Sequence, residues 1–137
     1  MRVRMQRGKR IDNNEWAFGN VICDTIRNRV LILEIPPRFD DNGYHLPAVK
    51  VDPETVGDWT GLMEKNGIKI HEGDIIEINR PCVYMRGLVV FMNGGFYFEY
   101  RIPERDGQRG YLDFHSIVLG EYKINIIGNR WDNPEML

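Results

Sequence analysis

Along the chain, short runs rich in Val, Ile, Phe, Tyr and Trp are broken about every ten residues by Gly, Asn, Asp or Pro, the pattern of β-strands joined by tight turns. No sustained 3.6-residue period accompanies them. The runs predict strands over residues 3–7, 15–23, 30–35, 44–51, 68–70, 75–79, 83–92, 96–102, 111–114 and 121–130. Pro36-Pro37 cannot donate to a ladder, while Asp41-Asn42-Gly43, Asn66-Gly67 and Asn93-Gly94-Gly95 supply residues that tolerate positive φ and predict hairpin turns. Gly67 is expected at positive φ, with Ile68 and Ile70 directed into the core.

The best-defined unit is the hairpin 83–102. In its second strand Phe96, Phe98, Tyr100 and Ile102 share one face and Tyr97, Glu99 and Arg101 the other. Its first strand is apolar on both faces, as a central strand is. Many short antiparallel strands around such a centre predict a mostly β fold, a small SH3-like or pseudo-barrel in which closure removes exposed edges. A short helical turn fits only 53–62, where Asp52 offers an N-cap and Pro53 a first helical position. The polar, Gly-rich stretch 103–110 is expected to be a mobile loop.

A length of 137 residues predicts one domain, 1–137, with a core large enough to dispense with disulfides or metal. No apolar run approaches the roughly 18 residues of a membrane span. The basic N-terminus leads into no apolar stretch of signal-peptide length, and Cys23 and Cys82 lie far apart; both facts predict a cytoplasmic protein with reduced thiols. Net charge is −2, so a case for nucleic acid must be local. It rests on Arg2, Arg4, Arg7, Lys9 and Arg10, which meet no acid in the first ten residues. Such an arm suits phosphate contact, but Val3 and Met5 alternating with Arg2 and Arg4 equally describe an edge strand with a solvated face, and the edge strand is the preferred reading.

Motifs of catalysis are scarce. His45, His71 and His115 stand in separate segments without metal-ligand spacing. Ser116 lacks the glycines of a nucleophile elbow, and no phosphate-cradling Gly-rich loop opens a helix. Glu72 and Asp74, or the pair Asp40-Asp41, have the composition of a general acid and base. In Glu72-Gly73-Asp74-Ile75-Ile76, however, a short acid entering a strand more commonly accepts turn amides. The Gly-Asp-strand, Gly-strand order from Gly73 to Phe91 loosely resembles KOW-type small barrels, and Tyr97, Arg101 and Trp131 would stack on bases where exposed; consecutive strands entered through glycines explain the same order without a ligand.

Two segments are more specific. Thr60-Gly61-Leu62-Met63-Glu64-Lys65-Asn66-Gly67-Ile68-Lys69-Ile70-His71-Glu72-Gly73-Asp74-Ile75 and Ile127-Gly128-Asn129-Arg130-Trp131-Asp132-Asn133-Pro134-Glu135-Met136-Leu137 together resemble the YopX family of phage and prophage proteins. Glu64 stands where Asp is usual there, and His71 where an aromatic is common. The resemblance extends through Gly87 to Phe91 and is looser over 1–50. It implies a β-rich pseudo-barrel encoded by mobile elements, with no established activity. Most signature residues have structural explanations: Asn66-Gly67 a hairpin, Gly73-Asp74 a strand entry, Gly128 a bulge, Asn133-Pro134 a strand end. Thr60, Glu72, Asp74 and Asn129 are polar, sit beside these turns, and form the candidate recognition surface.

The sequence therefore predicts a non-enzymatic binding module without catalytic residues, cofactor or metal, acting on a macromolecule, with protein placed ahead of nucleic acid. Homo-oligomerisation is left open, and no membrane contact is expected. The alternatives are a nucleic-acid-binding barrel using the basic arm and a carboxylate-dependent enzyme around Glu72 and Asp74.

Overall fold

β-Branched and aromatic residues set strands along nearly the whole chain, and the computed structural model, which describes residues 5–34, 38–45, 47–102 and 104–137, is mostly β and antiparallel. Expectations that fall on Arg2, Val3, Arg4, Ile35, Pro36, Pro37 and Pro103 lie outside these residues. The chain forms two compact units, Met1–Trp59 and Thr60–Leu137.

In the first unit, β1 (Gln6–Lys9), β2 (Trp16–Asp24), β3 (Arg29–Glu34) and β6 (Ala48–Val51) pair in the order β6-β3-β2-β1. Two further strands, β4 (Arg38–Asp40) and β5 (Gly43–His45), pair with each other, and with no other strand among the described residues. The predicted run 44–51 is thus two strands in different sheets, and β4 went unpredicted. Ala17, Ile32 and Val51 make the small core.

From Gln6 on, the basic arm is not the expected edge strand; the alternation over Arg2, Val3 and Arg4 lies outside the described residues. Gln6 and Arg7 pair with Gly19 and Phe18 on one side and with Asp58 and Gly57 on the other, so β1 is an interior strand. Asp52 caps a short 3-10 turn, Pro53–Thr55, by accepting the Glu54 N–H at 3.0 Å. Beyond it the helical expectation fails: Gly57–Met63 is strand β7, as suits a stretch holding Trp59 and Thr60. The division between the units falls inside β7.

In the second unit, β7 turns through Asn66-Gly67 into β8 (Lys69–His71), with Gly67 at φ +81° as expected. Ile70 is fully buried but Ile68 is 56% exposed, so only one of the two predicted core isoleucines belongs there. A five-stranded sheet comes next, in the order β12 (Arg109–Asp113), β11 (Gly95–Arg101), β10 (Val83–Met92), β9 (Asp74–Arg80), β13 (Lys123–Asn129). The predicted connection Asn93-Gly94-Gly95 is shorter by one residue: Asn93-Gly94 alone makes the turn, setting Met92 opposite Gly95 as the first pair of the hairpin. Among the described residues no pairing joins β12 to β13, so the barrel expectation holds for strand type and direction but not for closure. A bulge between Ile126 and Gly128 shifts the β13 register.

Phe98, Ile76, Ile78, Val89 and Ile70 form the core, joined by Phe114 and Ile117 from the helix α1 (Phe114–Leu119). That helix takes the last residue of the predicted strand 111–114 and the stretch after it, to which no element was assigned. Asp113 caps it by accepting the Ser116 N–H at 2.8 Å, a local bond strong enough to outweigh the β-branched Ile117 and Val118.

Candidate binding surface

The proposed recognition residues are drawn together, but into the scaffold. Thr60 Oγ1 donates to the Ile70 carbonyl at 2.8 Å and accepts the Leu62 N–H at 3.2 Å. Asp74 is 2% exposed and accepts the His71 N–H at 2.8 Å, closing the turn that holds half-buried Glu72. Asp74 faces Asn129 across β9 and β13. Asn129 Oδ1 accepts the N–H groups of Trp131 and Asp132 at 3.1 and 2.9 Å, and its amide donates to Asp132 at 3.0 Å.

The two signature segments meet at Gly73. Its N–H donates to Val89, its carbonyl accepts from Arg130 at 2.9 Å, and the Trp131 indole lies so close that a Cβ built on Gly73 would fall 2.3 Å from a ring carbon. Glu64, on the same hairpin as Thr60, is 8% exposed and accepts the Ile126 N–H at 3.2 Å.

The described cations of the N-terminal arm are engaged within the fold. Arg7 and Lys9 are each 6% exposed, and their charged groups lie 4.1 and 5.2 Å from the Trp16 ring centroid. Arg10 pairs with Asp12 at 2.8 Å and approaches Glu34 at 3.8 Å; the Arg10 hydrogen bond holds the Asp12 carboxyl below its ordinary pKa.

A different cationic surface lies on the face of the second unit's sheet opposite Phe98. Arg101 on β11 stands directly opposite Arg109 on β12. The Gly87–Tyr100 pairing, continued by one residue, sets Arg86 on β10 opposite Arg101. Arg86 in turn faces Glu77 on β9. The result is an arginine row across three adjacent strands.

Three acids stand near the row: Glu77 opposite Arg86, Glu99 beside Arg109, and Glu135 in the C-terminal turn. Glu77 forms no ion pair with Arg86 but accepts the Tyr84 hydroxyl at 2.8 Å and the Asn125 amide at 3.3 Å, bonds from neutral donors that leave its charge in place. Glu99 forms an ion pair with Arg109. Arg86 and Arg101 have no hydrogen-bonded or ion-paired partner among the described residues. The bond to Glu77 raises the Tyr84 pKa, and a bond to Glu99 raises that of Tyr111, so both phenols stay neutral donors fixed beside the row.

A groove of about 460 Å³ lies over the row, lined by Tyr84, Arg86, Glu99, Arg101, Arg109 and, from the C-terminal turn Pro134–Met136, Glu135. An adjoining recess of about 250 Å³ shares Tyr84, Arg86 and Arg101. Such volumes suit a small ligand or a short length of polymer. Of the row, sequence reasoning singled out Arg101 alone; the expected three-residue turn would have set it opposite Gly87, and only the observed two-residue turn aligns it with Arg86. Among the described residues no three His, Cys, Asp or Glu side chains are grouped as a metal site requires. No helix is long and apolar enough to cross a membrane.

The sequence profile of the family described as YopX protein matches residues 7–137, extending across the N-terminal stretch whose resemblance was looser. Among curated proteins none matches the chain. Among solved structures, the crystal structure of protein EF1440 from Enterococcus faecalis is similar over 100% of this chain and 99% of its own, with a TM-score of 0.62 at 20% identity, a likeness of fold.

Proposed function

We propose that this chain, which belongs to the YopX family, is a non-enzymatic binding module of phage or prophage origin that engages a macromolecule in the cytoplasm through the outer face of β10, β11 and β12. The observation that carries the reading is the pair Arg86 and Arg101, opposite each other on neighbouring strands and lining one groove, with no ion-paired partner for either among the described residues. Like charges directly opposite on neighbouring strands oppose folding. An anionic partner converts that repulsion into binding energy, because charge-assisted bonds to Arg are among the strongest a surface can offer.

The carboxylate-enzyme alternative has less support. Asp74 is turned into its own strand entry, where it accepts a backbone N–H. The arm-based alternative meets the burial of Arg7 and Lys9. Backbone amide exchange on the full chain, with and without a panel of anionic polymers (a single-stranded oligonucleotide, a duplex and polyglutamate), tests the proposal. Protection centred on residues 84–86, 99–101 and 109–111 supports it. Protection confined to residues 5–10 or 60–74, or none with any polymer, refutes it.

A further inference from the structure

We infer that the groove over Arg86, Arg101 and Arg109 binds single-stranded nucleic acid, its phosphates lying on the arginine row and a base on the Tyr84 ring. The inference rests on the reading of this face as the binding surface and adds the chemistry of its partner.

Three features point to that chemistry. The row runs across strands spaced about 4.8 Å apart, so its cations span roughly 10 Å, a line suited to a chain of repeated anions. Tyrosines flank it: Tyr84 lies two residues from Arg86 on β10 and Tyr111 two residues from Arg109 on β12, each pair sharing a face. Tyr84 is 62% and Tyr111 46% exposed, and their hydroxyls are held by Glu77 and Glu99, which fixes the rings while leaving ring surface open to solvent. Fixed aromatic faces beside arginines form a stacking platform with an electrostatic track, the combination by which proteins hold unpaired bases. An acidic peptide would satisfy the arginines and leave both rings unused. A duplex keeps its bases stacked on each other and out of reach of Tyr84.

The charge arrangement also sets a magnitude. Glu99 pairs with Arg109, while Arg86 and Arg101, which form no ion pair among the described residues, are the two cations assigned to phosphates. Each contributes about −0.7 to the slope of log affinity against log salt on a single strand, giving about −1.4.

The test is fluorescence anisotropy of labelled single strands of about ten nucleotides, DNA and RNA, titrated with the full chain between about 50 and 200 mM salt. Binding tighter than to the matching duplex, with that slope, is expected. The double variant Arg86→Ala/Arg101→Ala, shown by its melting curve to be folded, should weaken binding at least tenfold and flatten the slope. Tyr84→Leu should cost about tenfold and Tyr84→Phe little, because the ring does the stacking. Single-strand binding that the double variant leaves intact, or duplex binding as tight as single-strand binding, overturns the inference. If polyglutamate binds in an Arg86- and Arg101-dependent way while oligonucleotides do not, the nucleic-acid assignment falls and the binding face survives. If no polymer binds at low salt, both fall.

Discussion

Replacing Gly73 by Ala tests whether the two signature segments are joined by a close approach of backbone to indole. Gly73 has φ +90°, where a side chain costs about 1–2 kcal/mol of strain. The added Cβ would also sit 2.3 and 2.4 Å from two carbons of the Trp131 ring, so the indole must swing away or the turn must shift, at a further cost of about 1–3 kcal/mol. The sum, about 3 kcal/mol, is a large part of a domain's stability and corresponds to a fall in Tm of about 10 °C. Gly67 supplies the control. Its φ is a similar +81°, but nothing lies within 4 Å of the position a Cβ would take, so Gly67→Ala should show the strain alone. Urea unfolding followed by circular dichroism on parent, Gly67→Ala, Gly73→Ala, Trp131→Ala and the Gly73→Ala/Trp131→Ala double variant separates the contributions. Removing the indole should reduce the cost of Gly73→Ala to about that of Gly67→Ala. Equal costs for Gly73→Ala with and without Trp131 would refute the contact.

Phe98→Ala, at the fully buried centre of the second core, should cost about 3–5 kcal/mol in urea unfolding, whereas Val118→Ala on the half-exposed side of α1 should stay within about 0.5 kcal/mol. Asp113→Ala removes the cap of α1 and should lower the melting temperature at pH 7. Bonds from the Ser116 N–H and hydroxyl hold the Asp113 pKa below its ordinary value, so its contribution is full above about pH 4 and fades as pH falls through the lowered folded value; melting curves of parent and variant should converge in acid. Arg7→Ala should destabilise by about 1–2 kcal/mol through lost packing and cation–π contact with Trp16, while leaving oligonucleotide affinity unchanged. An affinity loss without a stability loss would return the arm to a role in phosphate contact.

Strand runs and turn chemistry made much of the second unit legible in the amino-acid sequence. Residues 83–92 form a strand with those bounds, because a run rich in β-branched and aromatic residues that ends in Asn93-Gly94 is set up for a hairpin. α1 escaped because six residues cannot display a helical period, although Asp113 three places before Ser116 carried the capping signal. The basic arm misled for a different reason. Alternation shows which side chains share a face but not whether a strand has neighbours on both sides, and Arg7 is buried by what pairs with β1. The arginine row was hidden by distance along the chain. Arg86, Arg101 and Arg109 become neighbours only through the register of three strands.

The placement of the unit boundary within β7 bears on how genes of this family can recombine. Trp59 and Thr60 are consecutive residues of one strand, with no linker between the units to absorb a change of length. Gain or loss of a single residue there would reverse the faces of the remaining strand residues and turn Leu62, which packs against the second core, the other way. A chimera joined within this strand is therefore expected to fold only where the junction conserves the strand's length. Length variation should collect instead at turns such as 25–28, where Ile26 is 93% exposed and nothing downstream depends on parity.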